Sequence, residues 1–232
     1  MTSKTILRSF LKAIALLPAL ILLSMASYGY FLYSEIVQKE PVLSKVETLR
    51  SQKDYVLYKD ISPDFLNAIY SIEDRRFYKH GAVDYLALMR AVTRNVRRGR
   101  LSEGGSTITQ QLAKNMYFNH KRSLSRKLAE FYLAHELENL LSKEEILELY
   151  VNIIYYGDGY YGISQASHGY FHKTPKELTL NEASLLAGLP NAPSLLSLSK
   201  NYTGAQRRQQ EVLEAMLDTR TISKEDFEGF RK

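Results

Sequence analysis

Two glutamates in this chain stand where a charged side chain is expensive. Glu73 lies four residues after Ile69 and eight after Phe65, so it continues an apolar helical stripe. Glu130 lies three and seven residues before Leu133 and Leu137, at the head of another stripe. A carboxyl group at the edge of a core must be paired or must shift its pKa upward, and the shifted form suits a general acid or base. Taken singly, each glutamate is open to a structural reading, with Arg75 and Arg76 or Arg126 and Lys127 as ion-pair partners. As a pair on separate helices they point to sugar chemistry, where two carboxyls commonly flank the glycosidic centre.

The second constellation runs from Glu103 through Gly104, Gly105, Ser106, Thr107 and Ile108 to Thr109, Gln110, Gln111, Leu112, Ala113, Lys114 and Asn115. Glycines followed by hydroxyls and amides let a backbone approach an anion and surround it with donors, and Lys114 adds a cation for a phosphate. The competing reading is a polar turn capping a helix. The spacing of a nucleotide-binding P-loop is missing. Ser197-Leu198-Ser199-Lys200 matches the S-x-x-K nucleophile motif, but no K-T-G or S-D-N partner follows, so the match reads as coincidence. The five histidines (80, 120, 135, 168 and 172) show no metal-ligand spacing, and no metal site is expected from them.

The elements that carry these residues read as helices almost throughout. Ser62-Pro63 looks like an N-cap and first turn, followed by Phe65, Ile69 and Ile72 at helical spacing. A further helix carries Leu86, Met89, Ala91 and Val92 and ends at the basic turn around Arg97 to Arg100. Residues 125–141 place Leu133, Ala134, Leu137, Leu140 and Leu141 on one stripe, and Ser142 opens the next helix. Thr179 and Glu182 form a capping box before a helix that stops at Gly188-Leu189-Pro190, and a last helix carries Val212, Leu213, Met216 and Leu217. Few stretches alternate, so the expected class is mostly α.

Composition limits the partners. The chain has 232 residues with 45% hydrophobic and 24% charged, and a net charge of +6 that favours an anionic partner. No cysteine is present, which removes disulfides and thiolate metal sites. Between Lys12 and Glu35 no residue is charged, a run long enough to span a bilayer as a helix. Lys4, Arg8 and Lys12 precede it, which places the N-terminus in the cytoplasm and the bulk of the chain outside. A cleaved signal peptide is the alternative, but its apolar core is usually shorter. The expected organisation is a cytoplasmic segment over 1–12, a transmembrane helix over 13–33, a polar juxtamembrane linker over 34–60 and one domain over 61–232. The arginines between 90 and 100 fit anionic lipid headgroups better than nucleic acid, which is not an expected partner.

Five blocks then resemble, in order, the peptidoglycan glycosyltransferases (glycosyltransferase family 51), especially the monofunctional members. They are Glu73-Asp74-Arg75-Arg76-Phe77-Tyr78-Lys79-His80 continuing to Asp84; Gly104 to Asn115; Arg126-Lys127-Leu128-Ala129-Glu130; Lys143 through Glu148, Tyr150-Val151-Asn152 and Tyr161-Gly162-Ile163 to Tyr170-Phe171; and Glu182-Ala183 to Ser194. The resemblance implies a lysozyme-like α-helical fold with a head and a partly membrane-embedded jaw. It implies polymerisation of lipid II, with the growing glycan strand as donor and inversion to a β-1,4 bond. Glu73 would be the general base and Glu130 its companion at the donor. Lys114 and Arg122 would hold the diphosphate, with Gly105, Ser106, Thr107, Gln110, Gln111 and Arg126 lining the same cleft. No cofactor is required, although a divalent cation such as Mg can assist a diphosphate. Membrane lipids and other cell-wall synthesis proteins would be the partners. The alternatives are a catalytically inactive lipid II-binding or scaffolding relative and a lysozyme-like hydrolase. Met1 and the closing helix favour a complete monofunctional enzyme. One departure stands near the base: Gly81 follows His80 directly, where the family commonly reads His-His-Gly-Val-Asp, so the turn there can differ.

Overall fold

The computed structural model describes residues 3–98, 105–118 and 123–230, and they are helical with no strand longer than the single bridge between Tyr155 and Tyr161. Helix α1 (Ser3–Lys39) contains a segment, Leu16–Lys39, long and apolar enough to cross a membrane, and Gly29 is its one buried residue. The polar linker expected over 34–60 is instead largely helical. Helix α1 continues through Lys39, and α2 (Val42–Arg50) follows Pro41 directly. Val42, Val46 and Leu49 recur at helical spacing and are buried, a stripe that the surrounding charges conceal in the sequence.

The core lies between α3 (Pro63–Glu73), α9 (Leu180–Gly188) and α11 (Tyr202–Thr219), which pack on one another, and α5 (Ile108–Tyr117), which packs on α6 (Leu124–Leu140) and α7 (Lys143–Ile153). Phe65 and Ile69 from α3, Leu186 from α9 and Leu213 from α11 are fully enclosed, each worth about 1.5–3 kcal/mol of burial. Capping boxes start α5 at Thr107, α7 at Ser142 and α9 at Thr179, as the patterns around Ser142 and Thr179 predict. Ser62 precedes α3 as expected, but its hydroxyl donates to the Leu178 carbonyl at 3.0 Å rather than capping its own helix. Leu140 departs from its expected stripe and is exposed. A short α10 (Pro193–Leu196) precedes α11, and beyond α11 a short α12 (Lys224–Gly229) buries Phe227.

Helix α7 holds the segment before α3 with two polar side chains. Glu148 accepts from the Tyr55 hydroxyl at 2.7 Å and the Tyr58 amide at 2.6 Å. Asn152 accepts from the Val56 amide at 2.9 Å and donates to the Val56 carbonyl at 2.8 Å. These side chains satisfy backbone groups that no strand pairs. Removing Glu148 strands the Tyr58 amide, so Glu148→Ala should cost about 2–3 kcal/mol and lower the urea midpoint. A midpoint equal to wild type would show that the clamp contributes nothing.

Gly162, at φ +78°, opens α8 (Gly162–Phe171), and a Cβ there would lie 2.4 Å from the Asn152 carbonyl oxygen. Helix α1 docks along α6 by a similar close approach: a Cβ on Gly29 would lie 2.4 Å from Leu128 Cβ. Tyr132 of α6 donates to the Ala26 carbonyl at 3.3 Å, and its ring sits 5.5 Å from Tyr30 and 5.9 Å from Tyr33. Helix α4 (Tyr85–Arg98) behaves differently from the packed helix its pattern suggests. Among its described side chains only Ala91 is buried, while Leu86, Met89 and Val92 are exposed, at 56%, 63% and 49%.

Candidate active site

Glu73 is the last residue of α3, and α5 and α7 fix its carboxyl group. Gln111 donates to Glu73 Oε2 at 2.8 Å, and the buried Tyr150 hydroxyl donates to Gln111 Oε1 at 3.1 Å. Because Tyr150 occupies the amide oxygen, the Gln111 nitrogen is the end that faces the carboxylate. The Glu73 residue is partly accessible, yet its carboxyl group lies deep, and burial raises its pKa from 4.5. Gln111, Arg208 and Lys114 oppose that rise and Asp74 adds to it, and the net direction is upward. A carboxyl group raised toward the working pH while still reachable from a cleft meets the requirements of a general base.

That cleft has a volume near 460 Å³ and is bordered by Glu73, Glu130, Ser106, Lys114, Lys127 and Arg208. Glu130, 1% exposed, is paired rather than isolated: Arg126 Nε lies 2.8 Å from one oxygen and Lys127 Nζ 3.1 Å from the other. Lys127 also donates to the Ser106 hydroxyl at 2.8 Å, which ties α6 to the chain entering α5. The Lys114 ammonium has no hydrogen bond or ion pair among the described residues. Its burial lowers its pKa from 10.5, partly offset by the field of Glu130. A second lobe of about 290 Å³ shares Ile72, Glu73 and Ser106 with the first and adds Arg76, Arg90 and Arg94. Glu73 thus stands at the junction of two cation-bordered lobes.

The other residues singled out in the sequence fall into distinct places. Gly105 lines the second lobe, and a Cβ there would come within 3.3 Å of Leu88 Cα on α4. Thr107 and Gln110 are spent largely on structure. They form the capping box of α5, and the Thr107 hydroxyl donates to the Ala82 carbonyl at 2.7 Å. Arg126 stands beside Glu130 rather than on the cleft wall. Arg122 lies outside the described residues. Sequence reasoning misses Arg208 and Tyr150 as site residues and gives Lys127 only as a neighbour. Arg208 Nε is buried without a hydrogen-bond partner, and its stem packs where a Cβ on Gly188 would lie, 2.8 Å from Arg208 Cγ. The glycine at the end of α9 is the one available signal.

Asp74, His80 and Asp84 come within 4.8 Å of one another, a grouping their irregular spacing conceals. They do not fit a divalent ion. His80 Nδ1 lies 2.6 Å from the Gly81 carbonyl and Nε2 2.8 Å from Asp74 Oδ1, so both ring nitrogens donate and neither offers a lone pair. Burial works against the charged ring, but these two acceptors outweigh it and hold its pKa above 6.5. Asp74 Oδ2 accepts from the Ile108 amide at 3.1 Å, and Asp84 pairs with Arg76 at 3.1 Å while capping α4. The cluster is a pin that fastens the chain after Glu73 to the start of α5. Gly81 needs no special backbone angle and a Cβ there would meet open space, so the departure at His80-Gly81 leaves the pin intact.

A profile of the transglycosylase family matches residues 39–217, a span that contains every element of this cleft. The chain belongs to the transglycosylase family. It is 41% identical over 189 residues to a candidate transglycosylase of Cupriavidus necator, covering 82% of this chain and 81% of that protein. It is 43% identical over 176 residues to penicillin-binding protein 1A of Escherichia coli, covering 76% of this chain and 21% of that protein. Against penicillin-binding protein 1A of Pseudomonas aeruginosa the identity is 43% over 174 residues, with 75% and 21% covered. The chain therefore spans about four fifths of the first relative and about one fifth of each of the other two. Membership of the transglycosylase family supports a glycosyl-transferring activity in peptidoglycan synthesis, and the mostly α fold agrees with it.

Proposed function

We propose that this transglycosylase polymerises lipid II into β-1,4-linked glycan strands at the outer face of a bacterial inner membrane. The observation that carries the reading is the placement of a buried, relay-held carboxyl group, Glu73, beside a half-buried Lys114 without a described partner. The acceptor 4-hydroxyl gives its proton to Glu73, and its oxygen attacks the anomeric carbon of the donor. The bond from that carbon to the diphosphate breaks, and its electron pair leaves on the diphosphate. Attack from the face opposite the leaving group inverts α to β. Lys114, Lys127 and Arg208 meet the charge that develops on the departing oxygen, in a cleft where such charges are weakly screened. Glu130 keeps Arg126 and Lys127 in position through its two ion pairs. The apolar segment of α1 serves as a single membrane anchor, and the exposed apolar side of α4 contacts lipid, which brings the cleft to a lipid-linked substrate.

The test is to incubate detergent-solubilised protein with labelled lipid II and to look for polymer that lysozyme digests. Polymer is the expected result. Bound but unreacted lipid II would instead make the chain a binding or scaffolding relative.

A further inference from the structure

Beyond the cleft, a groove of about 700 Å³ runs between the end of α3 and the turn after α11. Arg75 and Arg76 border both this groove and the second lobe of the cleft, so the two spaces adjoin. Lys79 and Arg220 line its outer part, against one carboxylate, Asp218, which already pairs with Arg75 at 2.7 Å. Tyr70 and Tyr78 form its aromatic wall, their rings edge to face at 5.2 Å.

The groove is a fixed feature. Ser71, fully buried on α3, shares a hydrogen bond of 2.7 Å with the Thr219 hydroxyl. The Thr221 hydroxyl donates to the Met216 carbonyl at 3.1 Å. Between them Arg220 takes the left-handed conformation at φ +61°, and its amide returns to the Leu217 carbonyl at 3.0 Å. This turn places Arg220 on the groove that Lys79 also lines, an arrangement that α11 alone would not produce.

We infer that this groove is a subsite for the carboxylate-bearing peptide branch of the substrate or of the nascent strand. The inference rests on the glycan-polymerising reading above. The sugar whose hydroxyl reaches Glu73 is joined to a muramyl residue that carries a short peptide with free carboxylates. A cationic groove with tyrosine faces, adjoining the second lobe beside Glu73, matches such a branch: the cations take the carboxylates and the rings cover the aliphatic side chains.

The test uses the full chain in detergent and a double variant, Lys79→Ala with Arg220→Ala, since both residues are exposed and outside the catalytic cleft. Soluble muramyl pentapeptide and its fully amidated counterpart are titrated against each protein. Wild type should bind the carboxylate form at least about fivefold more tightly, and the double variant should lose that preference. In polymerisation the variant should show a raised KM for carboxylate lipid II, with kcat on amidated lipid II unchanged. Equal binding of the two peptides by wild type, or a preference that survives in the variant, would overturn the subsite. So would a variant that keeps peptide binding and loses binding to phosphatidylglycerol vesicles, which would make the groove a headgroup site. Absence of polymer from either lipid would sink the polymerising function, and the peptide titration would still decide the groove.

Discussion

Replacing Glu73 with glutamine should reduce lipid II polymerisation by about 10²–10⁴-fold, the range a positioned base contributes, with little change in substrate binding. Gln111 can still donate to the new amide oxygen, so the α3–α5 contact survives the change. Stability should not fall. A carboxyl group whose folded pKa lies above its unfolded value favours folding at low pH, and that contribution is lost as pH rises through the folded pKa. At neutral pH the variant escapes the cost of a buried charge, so its thermal midpoint should equal or exceed that of wild type. The same raised pKa sets the acid limb of the rate profile: kcat/KM should climb with pH through a value above 4.5 as Glu73 ionises. If the variant polymerised at the wild-type rate, Glu73 would not be the base. An acid limb below 4.5 would show that its burial does not govern the reaction.

Lys114→Met should cost about 10²–10³-fold in kcat, comparable to the loss of one fixed donor at a developing anion. Methionine keeps most of the aliphatic volume, so packing on α5 is retained while the cation is removed. The ammonium is needed in its charged form, and burial lowers its pKa from 10.5, so the alkaline limb of wild type should fall below that value. The variant should lose this limb and keep the acid one, as measured by single-turnover rates across pH. A purely raised KM with unchanged kcat would mean that Lys114 binds substrate and leaving group equally well.

Periodicity makes Glu73 legible, because a carboxylate on the stripe of Phe65 and Ile69 has few places to go except a core edge. The same reasoning finds Glu130 and keeps its structural reading open, and Arg126 and Lys127 do pair with it. It misses α2, where the three buried apolar residues are scattered among charges and only tertiary burial reveals the stripe. Thr107 and Gln110 line the two lobes as the sequence suggests, and their Thr-x-x-Gln spacing also forms the capping box of α5, a second use that sequence reasoning does not separate. Arg208 is nearly hidden for another reason: its place at Glu73 is set by how α11 crosses α9, and Gly188 is the single local trace of that crossing. Tyr150 acts on the site through Gln111, and its sequence neighbourhood says only that it is buried in a helix. On α4 the pattern is legible and the partner is not, because an apolar helical face carries no label for protein or lipid.

The seat of Gly29 against Leu128 has a bearing on the bilayer itself. An apolar helix longer than the local hydrocarbon thickness tilts to match it, and a thicker membrane makes it stand more upright. Since α6 packs along α1 and carries Glu130 into the cleft, an α1 that anchors the protein as proposed would turn the catalytic domain with its tilt. With α1 as the proposed anchor, acyl-chain length would set the angle at which the cleft meets the lipid surface. In vesicles of increasing thickness, turnover should pass through an optimum, and a glycine-rich insertion after Lys39 should leave that dependence in place because the docking lies ahead of it.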